Sequence, residues 1–262
     1  MIISCIGDSL TEGDYGVFGK SGIANVKEKN YPYFLAQIMN CEVRNYGKCG
    51  ANSTSYIEYY RSKKPDITNS DIIIIMLGTN GGLDPEHDSR ANTDFDEIVK
   101  ACNGDEPKAE IILCTPPRAT ENPEYSNYGY AEQVKKAVLF VRNFADKSGL
   151  KLIDVANCPY FTAQSEYIMQ PNDGLHFSET GYRKLAEYIA LYLKNIDLNG
   201  EDICIKSNPF GVGMTGLKKG TCKADRTDEG KRHRRLFHAR KGRTENRVYG
   251  RGLVRLYRNL YG

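Results

Sequence analysis

Long apolar runs and closely paired cysteines are missing from this chain of 262 residues. No apolar stretch reaches the roughly 18 residues that a membrane-spanning helix needs. No basic segment with an apolar run precedes the first predicted strand at Ile2, so a secretory leader is not indicated either. From these absences we expect a soluble, unexported protein of the cytoplasm.

The eight cysteines lack the spacing of a zinc site or a redox motif, because none is followed by another after two residues. Several lie inside apolar runs, where a thiol packs as a small hydrophobic group. We therefore expect reduced thiols rather than disulfides or zinc ligands. Neither a metal nor a cofactor is predicted.

Charge divides the chain into two parts. Residues 1–200 carry 20 Lys and Arg against 27 Asp and Glu, whereas residues 201–262 carry 16 against 6. Beyond Asn199, glycines and basic residues predominate, a composition that does not readily bury a core. We predict a globular domain over residues 1–197. A basic, disordered extension is predicted over residues 198–262, with an amphipathic helix at its end.

Short apolar segments alternate with helical patterns along the predicted domain. Strands are predicted in IISCI, EVRNYG, DIIIIML, AEIILCT and LKLIDV. Between them, segments such as YPYFLAQIM and AEQVKKAVLFVRNFADKSG place apolar residues three and four apart, as amphipathic helices do. This alternation predicts a three-layer α/β/α sandwich around a mainly parallel, flavodoxin-like sheet of about five strands.

The segment CIGDSLTEG places Ser9 just beyond the first predicted strand. Ligands of open α/β sheets bind at the carboxyl ends of the strands, which favours a functional role for this serine. Taken alone, Ser9 with Glu12 three residues later also matches a helix N-cap with a capping box. A phosphate loop is disfavoured, because Gly-Lys-Ser at 19–21 has Asp14 where a Walker motif needs glycine.

Three distant segments favour a functional role for Ser9 over a role as a helix cap. They are NYGKCGANS with Gly47, MLGTNGG with Asn80, and NDGLHFSETGY with Asp173 and His176. We expect all of them to open onto the same edge of the sheet. His176 can serve as the base that a serine nucleophile needs, and Asp173 can orient its ring.

These four blocks, in this order, resemble the SGNH (GDSL) hydrolases over approximately residues 2–195. The resemblance implies a serine esterase with the triad Ser9, Asp173 and His176. It also implies an oxyanion hole formed by the backbone amides of Ser9 and Gly47 and the side-chain amide of Asn80.

Two of these oxyanion assignments have ordinary structural alternatives. Gly47 is also suited to a tight turn after a strand, and Asn80 to a turn in Asn-Gly-Gly. The chain departs from the family at Gly81, where the third block usually has Asp. If that Asp braces the loop, Asn80 is held less rigidly here.

The blocks define a reaction and leave the substrate open. Tyr125, Tyr128 and Tyr130 fall in one predicted loop, where they either border a site for a polar alcohol or are simply exposed. Nothing resembles a long apolar lid, so we expect short acyl groups such as acetyl on a carbohydrate. Lysophospholipase or thioesterase activity is the alternative within the family.

The basic extension suggests a competing class of function. It contains a positive cluster that can bind polyanions, comprising Arg232, Arg234, Arg235, Arg240, Lys241 and Arg243. The final residues place arginines and leucines on opposite sides of a predicted helix, as in membrane-surface helices. The competing hypothesis is a weakly catalytic scaffold that binds polyanions, and no specific nucleic acid is predicted.

Overall fold

The alternation of strands and helices predicted from the sequence is present in the structure. The computed structural model describes residues 1–19, 22–25 and 29–195. In chain order its elements are β1 (Ile2–Gly7), α1 (Ser9–Glu12), β2 (Asp14–Gly19), β3 (Gly22–Asn25), α2 (Tyr31–Met39), β4 (Glu42–Gly47), α3 (Ser53–Lys63), β5 (Ile72–Met76), α4 (Arg90–Asp105), β6 (Glu110–Cys114), α5 (Ala131–Ser148), β7 (Lys151–Ile153), α6 (Glu166–Met169) and α7 (Glu179–Asn195).

Within the described residues, five parallel strands form a sheet in the order β4-β1-β5-β6-β7. This order is that of flavodoxin-like, doubly wound sheets. The central strand β5 is apolar along its whole length because helices cover both faces of the sheet, and every one of its residues is buried, whereas the edge strand β4 is only partly buried. The predicted fold class is confirmed.

The two faces of the sheet contribute to separate apolar cores. On one face, Ile74 belongs to the same core as Phe34 of α2 and Leu185 of α7. On the other face, Ile75 shares a core with Phe95 of α4 and with residues of α3 and α5. Successive β5 side chains alternate between these cores, as the period of two in a strand requires.

The sheet brings three loops to one edge. Gly7 at the end of β1 lies opposite Gly47 at the end of β4 and opposite Met76 at the end of β5. Because the strands are parallel and in register, the loops that follow them begin side by side. The residues after β1, β4 and β5 therefore surround a common space, as predicted.

The antiparallel hairpin of β2 and β3 was not predicted. Its first strand, DYGVFG, contains two glycines and lacks a regular alternation of apolar and polar residues, so the pattern that marks strands is absent. The cysteines of the described part are free thiols, and Cys5, Cys102, Cys114 and Cys158 are buried, in line with the expected core role.

The predicted extension over 198–262, with its basic cluster and terminal helix, lies outside the described residues. The boundary at 197 remains a prediction. Among the helices that the structure describes, none is both long and apolar enough to cross a membrane.

Candidate active site

Ser9 occupies the first position of α1, directly beyond β1. The N-cap of this helix is Asp8, whose Oδ1 accepts the Leu10 amide at 3.0 Å, so Ser9 is not the capping residue. Glu12 does not complete a capping box with Ser9 either, because its Oε2 accepts the backbone amide of Cys49. The Ser9 hydroxyl is therefore not needed to cap the helix.

One imidazole ring joins the three predicted triad residues. Nε2 of His176 lies 2.9 Å from Oγ of Ser9, and Nδ1 lies 2.7 Å from Oδ2 of Asp173. All three residues are buried, with His176 8% exposed and Ser9 3% exposed. A serine, an imidazole and a carboxylate in this arrangement can move the hydroxyl proton to the ring.

Buried carboxylates surround the imidazole of His176. Burial alone lowers the pKa of the ring, but the hydrogen bond and charge of Asp173, with the charges of Asp14 and Asp8, raise it above the ordinary value. Burial raises the pKa of Asp173, and hydrogen bonds from His176 and Leu175 reverse this, so the pKa of this carboxyl is lowered. The site thus stabilises an imidazolium beside an ionised carboxylate.

Asp8 differs from Asp173 in the direction of its pKa shift. Burial raises its pKa to about 6, and the hydrogen bond from Leu10 and the polar groups of Thr79 offset only part of this effect. Thr79, which lies near Asp8, precedes Asn80 in the loop after β5. The hydrogen bond from the Leu10 amide to Oδ1 of Asp8 shapes the turn after β1.

Asn127 is a partner of Asp173 that was not predicted from the sequence. Its Nδ2 donates to Oδ2 of Asp173 at 2.9 Å, and its backbone amide donates to the Asp173 carbonyl at 3.2 Å. Oδ1 of Asp173 accepts the amides of Leu175 and His176 at 2.9 and 2.8 Å. A Cβ on Gly16 of β2 would overlap Oδ2. Every side of this carboxylate is therefore held by neighbouring groups.

Gly47, the predicted oxyanion glycine, packs against the helix that carries Ser9. Its amide donates to Oδ1 of Asn45 at 2.9 Å, and Nδ2 of Asn45 donates to the Thr11 carbonyl at 2.8 Å. A Cβ at Gly47 would overlap the backbone nitrogen of Glu12. Before Gly47 could donate to a substrate, its bond to Asn45 would have to open, so the geometry favours the structural alternative for this glycine.

Asn80 reaches the loop that follows β4. Its Nδ2 donates to the Ala51 carbonyl at 2.9 Å, which leaves the second N–H of the amide for another acceptor. The neighbouring Gly50 is exposed, with open space beside its Cα. Gly50 was not predicted as a site residue, although it is the second glycine of the NYGKCGANS segment.

The tyrosines of the predicted substrate loop have different surroundings. Tyr128 is 53% exposed, and Tyr130 packs against a small apolar cluster that includes Leu175. A Cβ on Gly174, in the turn between Asp173 and His176, would lie 2.8 Å from Cβ of Tyr125. Tyr125 thus supports that turn. Contact of these three tyrosines with a substrate stays a prediction.

Among the described residues, one group of side chains is close enough together to bind a cation. Its ligand atoms lie within 4.8 Å of one another and belong to Asp84, Glu86 and His87. This group was not predicted from the sequence. Oδ2 of Asp84 lies 3.0 Å from Nζ of Lys136, which already neutralises its charge. Exposed acidic groups of this kind are common on protein surfaces, and we assign these residues no part in the reaction.

Comparison with known proteins agrees with the geometry. Residues 5–184 match the GDSL-like Lipase/Acylhydrolase family. The chain belongs to this family. The matched segment contains Ser9, Asn80, Asp173 and His176, and the resemblance inferred from the four sequence blocks is confirmed.

An acetylxylan esterase of Xylanibacter ruminicola is 26% identical over 219 residues, which are 73% of this chain and 43% of that protein. The chain therefore spans less than half of the length of this curated relative. Among solved structures, an aryl esterase of M. smegmatis has a TM-score of 0.58 at 19% identity and covers 74% of this chain and 98% of its own. Est24, a carbohydrate acetylesterase from Sinorhizobium meliloti, has a TM-score of 0.54 at 18% identity over 74% and 98% of the two chains. At these identities the two structures support the fold.

Proposed function

We propose that the protein is a serine esterase that hydrolyses carboxylic esters through Ser9, His176 and Asp173. The observation that carries the proposal is the His176 ring, which is bonded to Oγ of Ser9 through one nitrogen and to Oδ2 of Asp173 through the other. Membership of the GDSL-like family supports the same reaction class.

The first half of the reaction forms an acyl-enzyme. Asp173 accepts a hydrogen bond from the Nδ1 proton of His176, which leaves the Nε2 lone pair to take the hydroxyl proton of Ser9. Oγ of Ser9 attacks the acyl carbon, and the carbonyl oxygen becomes an oxyanion. When the C–O bond to the alcohol breaks, His176 gives its proton to the leaving oxygen, and the acyl group remains on Ser9.

The second half returns the enzyme to its starting state. Water attacks the acyl carbon and gives a proton to Nε2 of His176. The bond to Oγ then breaks, the carboxylic acid leaves, and Ser9 regains its proton from His176. The raised pKa of His176 favours both steps in which the ring must hold a proton.

Three donors are proposed for the oxyanion. The amide of Ser9 is one, since the first amides of a helix have no intrahelical acceptor. The second N–H of the Asn80 side chain is another. For the third we favour the amide of Gly50 over that of Gly47, because the Gly47 amide is already bonded to Asn45. Donors aimed at the developing charge supply a large part of the acceleration.

The proposed substrate is a short acyl group, such as acetyl, on a carbohydrate or similar polar alcohol. The acetylxylan esterase relative and the carbohydrate acetylesterase Est24 support this choice.

The test is hydrolysis of acetyl, butyryl and octanoyl nitrophenyl esters and release of acetate from acetylated xylan. We expect the acetyl ester to be the best nitrophenyl substrate, and Ser9→Ala to lose about 10⁴-fold or more of the turnover. Ser4→Ala is the matched control, because this buried serine bonds to Ser70 instead of to His176.

Circular dichroism must show that all variants are folded. Absence of turnover by the wild type on every ester would overturn the proposal. Preference for the octanoyl ester would retain the esterase and replace the acetyl assignment by the lysophospholipase or thioesterase alternative.

A further inference from the structure

The loop that presents Asn80 has little internal support. Gly78, Gly81 and Gly82 have φ angles of +125°, +76° and +87°, a region that glycine adopts readily. One backbone hydrogen bond, from the amide of Gly81 to the carbonyl of Gly78 at 3.3 Å, closes the turn. The position of Asn80 therefore depends on groups that reach the loop from other elements.

Gln133 of α5 contacts this loop on both sides of Asn80. Its Nε2 donates to the carbonyl of Thr79 at 2.9 Å. A Cβ at Gly81 would lie 2.8 Å from Oε1 and 3.2 Å from Cδ of Gln133. The side-chain amide thus bonds to the residue before Asn80 and occupies the space that a side chain at the residue after it would need.

The helix that carries Gln133 is a rigid support. α5 has 18 residues, and Ala137 and Val141, one and two turns beyond Gln133, are fully buried against the sheet. Such a helix can hold the loop in place with one partly buried side chain. At the far end of the same loop, Oγ of Ser89 donates to the Gly82 carbonyl at 2.9 Å, so α5 and the start of α4 brace different parts.

We propose that Gln133 is a positioning residue that holds Asn80 in the geometry required for catalysis, and that it takes the place of the Asp found after Asn in the third block of the family. Gly81 has a positive φ and the Gln133 amide lies beside its Cα, and both features favour glycine at this position. The inference rests on the proposed role of Asn80 as an oxyanion donor.

The first test compares Gln133→Ala and Gln133→Glu with the wild type on a nitrophenyl acetate substrate. Glutamate keeps the length of the side chain but places an oxygen, instead of a donor, against the Thr79 carbonyl. Both variants are expected to lose about tenfold in kcat with KM changed less than twofold, since one positioning hydrogen bond is removed. Glu132→Gln, at the exposed neighbouring position, should retain the wild-type kcat.

The second test exchanges the two braces. Gly81→Asp alone should reduce kcat further than Gln133→Ala, because the new side chain collides with the Gln133 amide. The double variant Gly81→Asp with Gln133→Ala should be more active than Gly81→Asp, because the collision is removed and the aspartate can brace the loop. If the two substitutions were independent structural defects, their losses of kcat would add, and the double variant would be less active than either single variant.

Asn80→Ala, expected to lose about 10²- to 10³-fold in kcat, separates the outcomes. If this variant loses turnover while both Gln133 variants retain it, the positioning role is overturned and the proposed esterase stands. If Asn80→Ala keeps full turnover, the positioning role falls together with the oxyanion assignment, while Ser9→Ala still tests the nucleophile. A double variant no better than Gly81→Asp would overturn the exchange of braces.

Discussion

The carboxylate of Asp14 lies 3.6 Å from Nε2 of His176, the same nitrogen that bonds to Oγ of Ser9. This distance is too long for a hydrogen bond but short enough for a strong charge interaction in a buried site. Oδ1 of Asp14 accepts the Gly16 amide at 2.8 Å, which fixes the carboxylate. The ring of His176 therefore lies between two carboxylates, Asp173 at Nδ1 and Asp14 at Nε2.

Replacing Asp14 by asparagine should move the pH dependence of hydrolysis. In the proposed mechanism His176 accepts the Ser9 proton only when its ring is neutral, so the acidic limb of kcat/KM should follow the pKa of His176. Asp14 contributes to raising that pKa. Without its charge the pKa falls, and Asp14→Asn should keep a larger fraction of its maximal kcat/KM at about pH 6 than the wild type does. The measurement is kcat/KM for nitrophenyl acetate over a pH range of roughly 5 to 8, which brackets the titration of a histidine.

Asp96→Asn is the control for this pH profile, because Asp96 pairs with Lys100 on the surface of α4. It should leave the acidic limb where it is. An acidic limb that stays in place or moves to higher pH in Asp14→Asn would show that Asp14 does not stabilise the imidazolium.

Asn127→Ala should weaken catalysis by releasing Asp173, the acid of the proposed triad. Asn127 supplies a donor to Oδ2 of Asp173, the same oxygen that accepts from His176. Hydrogen bonds to charged groups contribute about 1.5–3 kcal/mol, so kcat should fall at least about tenfold. Asn122→Ala, in the same loop but bonded to Glu124, is the matched control. Equal kcat in the two variants would exclude a positioning role for Asn127.

The predicted parts of the fold are those that the local sequence determines. Buried parallel strands are continuous apolar runs, so Ile72–Met76 was recognisable without knowledge of its neighbours. Ser9 and His176 were predicted as site residues because short motifs surround them. The sequence did not identify Asp8 as the N-cap of α1, since Asp8 and Ser9 are both favoured capping residues and only the backbone geometry decides between them.

The residues that hold the site in place depend on contacts between distant parts of the chain. Asn127 is 46 positions from Asp173, and Gln133 is 54 positions from Thr79. Neither residue lies in a motif, and polar residues on a loop or a helix surface are common. The hydrogen bond from the Gly47 amide to Asn45 depends on the conformation of the Asn45 side chain. The sequence at the end of a strand does not specify that conformation.

Gly47→Ala should reduce stability because the strand end touches the backbone of α1. Its Cβ would overlap the nitrogen of Glu12 and lie 2.6 Å from the Glu12 Cα, and backbone atoms cannot move aside as a flexible side chain can. Overpacking of this kind costs about 1–3 kcal/mol or more in the free energy of unfolding. Chemical denaturation of both proteins measures the loss.

Gly104→Ala is the opposite case and serves as the control. Gly104 lies in α4, and a Cβ added there would meet no neighbouring atom within 4 Å, so alanine should stabilise the protein by about 0.5–1 kcal/mol. An unchanged denaturation midpoint for Gly47→Ala would mean that α1 can move away from β4 at little cost, and the close packing inferred for Gly47 would then be wrong.

Removal of residues 201–262 should leave the proposed esterase activity unchanged. Ser9, Asp173 and His176 and the two apolar cores lie within the described residues, and the family match ends at residue 184. We expect kcat/KM within twofold of the full chain. A shorter chain that ends at residue 184 should fail to fold, because it lacks the buried side chains of Leu185, Ile189 and Leu193 in α7. Burial of each of these side chains contributes about 1.5–3 kcal/mol to the free energy of unfolding.

Loss of turnover after removal of residues 201–262, with an unchanged circular dichroism spectrum, would assign the basic extension a part in the reaction. Retained turnover with lost, salt-sensitive binding to heparin would assign it polyanion binding alone.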